Sequence, residues 1–148
     1  MSLNFKFMRW MDLDYIVDKE GTRAYSDIYN QPCDCIYCKN YYQAFSAAYP
    51  EIVELLNEFG VNIERPLEVI ESFWNPTKDK RLYESYYSIK GELYRDKISL
   101  YSKDAFVTLY QPDTDTPIYT NTGMEVPYFI AAVSNLQLPW VLSEFPED

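Results

Sequence analysis

From Tyr83 to Leu93 the chain changes side-chain character at every residue: Tyr83, Ser85, Tyr87, Ile89, Gly91 and Leu93 alternate with Glu84, Tyr86, Ser88, Lys90 and Glu92. A period of two sends successive side chains to opposite faces of a strand, so this stretch belongs in a sheet. Tyr86 falls in the outward set, which predicts some burial on that second face too. Shorter strand candidates follow at 97–101, 105–110, 126–133 and 140–145, separated by turn-rich pieces such as Pro112-Asp113-Thr114-Asp115-Thr116-Pro117. Parallel strands need a crossover of a dozen or more residues, usually a helix. Strands spaced this closely leave no room for crossover helices, so the sheet is expected to be mostly antiparallel.

Upstream the period is helical. Ile36, Tyr37, Tyr41, Ala44, Phe45 and Ala48 recur at spacings of three and four, predicting a helix over 35–49. Pro50 suits the first position of a second helix, where its missing N–H costs nothing. There Ile52, Leu55, Leu56 and Phe59 form an apolar face, while Glu51, Glu54 and Glu58 face water. Gly60 is the expected left-handed stop, with Val61 folding back on the last turn. Around these helices the signals are mixed. Phe5 and Phe7 suit an N-terminal strand, 12–19 a helical turn and 21–29 a short strand. Pro66 opens either another helix or a strand at 69–74, and 75–80 is a polar turn.

A chain of 148 residues fits one domain, taken as 1–148, with a helical layer at about 34–72 and a strand-rich part at about 82–146. The fold class is α+β: N-terminal and central helices packed on a mostly antiparallel sheet formed largely by the C-terminal half. Of the fifteen tyrosines, Tyr83, Tyr86, Tyr87, Tyr94, Tyr101, Tyr110, Tyr119 and Tyr128 fall in or near the strands. A half-buried pleated surface accounts for most of them, and an exposed tyrosine interaction surface is the alternative.

Composition removes several chemistries. The chain has no histidine, which excludes Ser-His-Asp and Cys-His catalysis and any zinc site that needs imidazole. A net charge of −10 argues against nucleic acid, whose binding rests on Lys and Arg neutralising phosphates, and against anionic lipid. Four scattered glycines supply no phosphate-cradling loop. Charges interrupt every short apolar run in Met1–Trp10, so neither a secretory signal nor a membrane span is expected.

All three cysteines lie in Cys33-Asp34-Cys35-Ile36-Tyr37-Cys38, at the entrance of the first predicted helix. Secreted folds spread paired cysteines along the chain, so this odd, local set predicts reduced thiols and a cytoplasmic protein. Cysteines separated by two residues, as Cys35 and Cys38 are, can aim both sulfurs at one ion, and helix-start N–H groups stabilise thiolates. Cys33, Cys35 and Cys38 with one oxygen ligand, Asp27, Asp34 or water, would complete a tetrahedral zinc site. Against this stand burial of the thiols as small hydrophobes and redox use of Cys35-x-x-Cys38. Redox folds of that kind place the motif after a buried strand, which 25–29 do not resemble.

The segment Cys33–Tyr41, with the helix pair ending in Phe59-Gly60-Val61 and the step Arg65-Pro66-Leu67-Glu68-Val69, resembles a family of small uncharacterised bacterial proteins. Its members carry C-x-C-x2-C-[KR]-N before a helix. The resemblance covers about 40 residues, implies that the segment is one unit and assigns no activity.

Three functional readings follow, in order. The first is a small acidic non-enzymatic cytosolic protein that binds a basic protein partner through charge complementarity. The second is a zinc protein using Cys33, Cys35 and Cys38, the one cofactor in view. The third is a histidine-free hydrolase acting through carboxylates or a thiol. An enzyme is the less favoured of these.

Overall fold

The computed structural model describes residues 14–28, 33–95, 97–112 and 122–146. In chain order these form β1 (Tyr15–Val17), α1 (Lys19–Ile28), α2 (Ile36–Ala48), α3 (Pro50–Glu58), β2 (Glu68–Trp74), β3 (Lys80–Leu93), β4 (Lys97–Ser102), β5 (Ala105–Tyr110) and β6 (Tyr128–Pro139). Every strand pairing among the described residues is antiparallel. The curled six-stranded sheet runs β1-β3-β6-β5-β4, with β2 on the same outer side of β3 as β1 but at its opposite end. The α+β expectation is met.

β3 is the long strand that the alternation predicted. Tyr83, Ser85, Tyr87, Ile89, Gly91 and Leu93 are all buried, facing α2 and α3. On the other face Tyr86 is half-buried against a second, smaller cluster of Met124, Tyr128 and Ile130. β6 pairs with β3 from Lys80↔Pro139 to Lys90↔Tyr128 and is buried on both faces over Tyr128–Val133. Tyr41, Phe45, Leu56 and Phe59, each 0% exposed, bring the helices onto this sheet. Within the core the Tyr41 hydroxyl lies 2.7 Å from Ser85 Oγ and 2.5 Å from the Tyr87 hydroxyl. Tyr87 in turn donates to the Ile63 carbonyl at 2.8 Å.

α3 ends as its sequence requires. Gly60 N–H donates to Asn57 O at 3.0 Å and Val61 N–H to Leu56 O at 2.9 Å, the paired bonds of a left-handed helix stop. Gly60 has φ +94°, and a Cβ there would meet Lys19 O at 2.3 Å. Gly60→Ala combines left-handed strain with a backbone clash. It is expected to cost about 2 kcal/mol or more in urea unfolding, well above an ordinary surface substitution.

Five local expectations need correction. The strand expected at 21–29 is instead helix α1, and the helical turn expected at 12–19 contains β1. Asp18 caps α1 by accepting from Gly21 N–H at 2.9 Å, and the helix buries Thr22 and Ser26 rather than an apolar stripe, so no periodic signal marks it. The helical layer ends sooner than 72, because the choice left open after Pro66 resolves as β2. Residues 140–145 hold no strand and bend at 142–144, since β6 has already run to Pro139. The N-terminal strand expected around Phe5 and Phe7 lies outside the described residues. Leu55, expected on the buried face, is only half-buried, whereas Val53 is buried.

Candidate metal centre

The three cysteines meet at the start of α2. Cys35 is its N-cap, with extended backbone (φ −69°, ψ 161°), and its sulfur accepts the Cys38 N–H at 3.4 Å. A thiol here does what Ser or Asp does at most helix starts, satisfying an N–H that the first turn leaves unpaired. Lys39 N–H reaches the Cys35 carbonyl at 2.9 Å and closes the first helical turn. Cys33 lies just ahead of the helix, and its carbonyl accepts the Tyr42 hydroxyl at 3.1 Å, tying the entering chain to the second turn.

These bonds bring Sγ of Cys33, Cys35 and Cys38 within 4.8 Å of one another. All three are free thiols, Cys33 and Cys35 exposed and Cys38 buried. The backbone N–H of Cys35, and then the neighbouring thiols, hold Cys33 below its ordinary pKa. Burial, and then the two adjoining thiols, push Cys38 up. One open and one enclosed sulfur thus face each other across a single turn. Among the described residues the group consists of the three sulfurs alone, so neither Asp27 nor Asp34 joins it.

The turn stands on a rigid base. Asn40 anchors the first turns of α2 to the end of β6, donating to Pro139 O at 3.1 Å and accepting from Val141 N–H at 2.7 Å. Between Cys35 and Cys38, the Tyr37 carbonyl accepts the Tyr83 hydroxyl at 2.8 Å. The Tyr37 ring covers the Arg81 guanidinium at 4.9 Å, and Trp74 covers it at the same distance. Trp140 packs edge-on against both rings, each at 6.0 Å. Arg81 is 1% exposed and pairs with Glu71 at 2.8 Å.

Sequence reading singled out the thiols but not this box. The polar turn at 75–80 marks a reversal of the chain, but only the β2–β3 register sets Trp74 directly across from Arg81. The element that precedes α2 among the described residues is helix α1, and the sheet is antiparallel, so Cys35-x-x-Cys38 lacks the strand-to-helix setting of a redox motif.

No family model, curated protein or solved structure matches the chain. The site is therefore read from its own geometry. Three thiols this close, on a turn held by backbone bonds, are able to hold a metal ion. No described helix is long and apolar enough to cross a membrane.

Proposed function

We propose that the protein binds one zinc ion through Cys33, Cys35 and Cys38, with water or an exchangeable oxygen ligand in the fourth position. The observation that carries this reading is the convergence of three sulfurs within 4.8 Å on one helix-start turn. Zinc–sulfur bonds of about 2.3 Å place the sulfurs of a tetrahedral site about 3.8 Å apart, so each pair closes by no more than about 1 Å. Rotation about the exposed Cys33 side chain supplies movement of that size. Three thiolates suit a soft or borderline metal rather than calcium or magnesium, which take oxygen ligands.

The ligands come from a single turn, and the core lies elsewhere, so the metal does not staple distant chain together. Two of the thiols face solvent, which suits uptake and release of the ion more than permanent structural service. A reducing compartment such as the cytoplasm belongs to this reading, because it keeps all three sulfurs as thiols.

Purified under reducing conditions and titrated against a competing chromophoric chelator, the chain is expected to bind about one equivalent of zinc. Cys33→Ser, at an exposed position, is expected to weaken binding at least about ten-fold while leaving the far-ultraviolet dichroism unchanged. Thiols that react equally fast with and without zinc, in a chain that holds none, would end the proposal.

A further inference from the structure

We infer that the groove between α3 and the open edge of β4 is a docking site for an extended basic peptide segment of a partner protein. Among the described residues β4 is terminal in the sheet order, and one side of its backbone pairs with no described strand. Next to that edge lies a cavity of about 280 Å³ whose apolar lining comes from Ile52 and Leu55 of α3 and from Leu100 and Val107 of the sheet. Its rim is acidic: Glu51, Glu54 and Glu58 line the same groove from α3. Glu51 accepts the Ser102 hydroxyl at 2.8 Å, which joins helix and strand at one end. Tyr101, 77% exposed, stands at the other side.

Each feature selects part of the ligand. An unpaired strand edge takes an extended chain, whose main-chain bonds supply affinity and whose alternate side chains enter neighbouring pockets. The apolar floor takes an aliphatic side chain. Successive glutamates of the row stand about 4.5 to 6 Å apart along the helix, at 1.5 Å per residue, against about 6.6 Å between alternate side chains of a strand. Lys103, in the turn after β4, is engaged otherwise, donating to Ala48 O at 2.8 Å beside the Tyr49 ring. A chain of net charge −10 also steers a cationic segment toward itself. None of the residues lining the groove belongs to α2 or to the thiol turn, so the inference stands apart from the metal.

The test uses the full chain, labelled with nitrogen-15, and a synthetic peptide of alternating lysine and valine, with an alternating glutamate–valine peptide as control. Amide shifts are expected to change along α3 and β4, with binding that weakens as salt is added. Glu54→Lys combined with Glu51→Lys is expected to reduce affinity at least about ten-fold, while the remote pair Glu20→Lys and Glu84→Lys, carrying the same charge change, has a much smaller effect. Equal loss from the remote pair would reduce the effect to bulk charge and overturn the inference. So would shifts spread over the whole surface, or no binding by an intact fold. Concentration-dependent dimerisation through the groove, or contacts to it from elsewhere in the same chain, would name another occupant and likewise overturn it.

Discussion

Stability is expected to collapse above about pH 10, because the core is built around tyrosines that resist ionisation. Burial pushes the hydroxyls of Tyr15, Tyr41, Tyr83 and Tyr87 well above their ordinary value. The sign follows from proton binding. Below the unfolded value near 10, folded and unfolded chains both hold these protons and nothing is lost. Above it the unfolded chain releases them and is stabilised, while the folded chain retains them until the raised values are reached. Each such tyrosine removes about 1.4 kcal/mol per pH unit, so the four together remove about 5 kcal/mol by pH 11. That approaches the entire stability of an ordinary domain, about 5–15 kcal/mol. Urea unfolding at about pH 9 and pH 11 checks it, with a cooperative rise in tyrosinate absorbance coinciding with loss of dichroism. Equal midpoints at both values would mean that these hydroxyls have access to solvent in the folded chain.

The second large effect is expected at the arginine box. Arg81 is 1% exposed, with its charge balanced by Glu71, itself 27% exposed, and by the faces of Tyr37 and Trp74. Removing the carboxylate alone leaves the guanidinium desolvated without its counter-charge. Glu71→Ala is therefore expected to cost about 3 kcal/mol, the lower part of the range for broken buried pairs because Glu71 keeps some solvent. The double change Arg81→Met with Glu71→Leu removes both charges and keeps much of the volume, so it is expected to recover most of that loss. Urea midpoints of the single and double variants decide the matter. A double variant no more stable than the single one would place the loss in packing rather than in charge.

The parts of this fold that could be read from sequence are those in which burial repeats. The β3 alternation and the α2 and α3 stripes each turn one face to the main core, so periodicity reports them directly. Gly60 and Pro50 were legible because backbone geometry demands those residue types. α1 was not, because its buried positions are Thr22 and Ser26, held by hydrogen bonds such as Lys90 N–H to Thr22 Oγ1 at 2.9 Å rather than by apolar contact. Residues 140–145 read as a strand because Trp140, Val141 and Phe145 are apolar. Trp140 instead packs across the box while its indole N–H reaches Glu144 O at 2.8 Å.

The thiol cluster was legible because its members are neighbours in sequence and share one turn. Arg81 and Glu71 were not, since they meet only once the β2–β3 register is set. Of the groove glutamates placed facing water, Glu51 and Glu54 are exposed and Glu58 is half-buried, and their proximity to the β4 edge depends on how α3 lies on the sheet. Tertiary placement, unlike local period, leaves no mark in the spacing of residues.

X-ray absorption at the zinc edge of the reduced, zinc-loaded chain reads the metal's ligands themselves. About three sulfur scatterers at about 2.3 Å and one lighter atom near 2.0 Å are expected, with the sulfur count falling in Cys33→Ser. A shell made only of oxygen and nitrogen, or a spectrum unchanged by that substitution, would contradict the three-cysteine site.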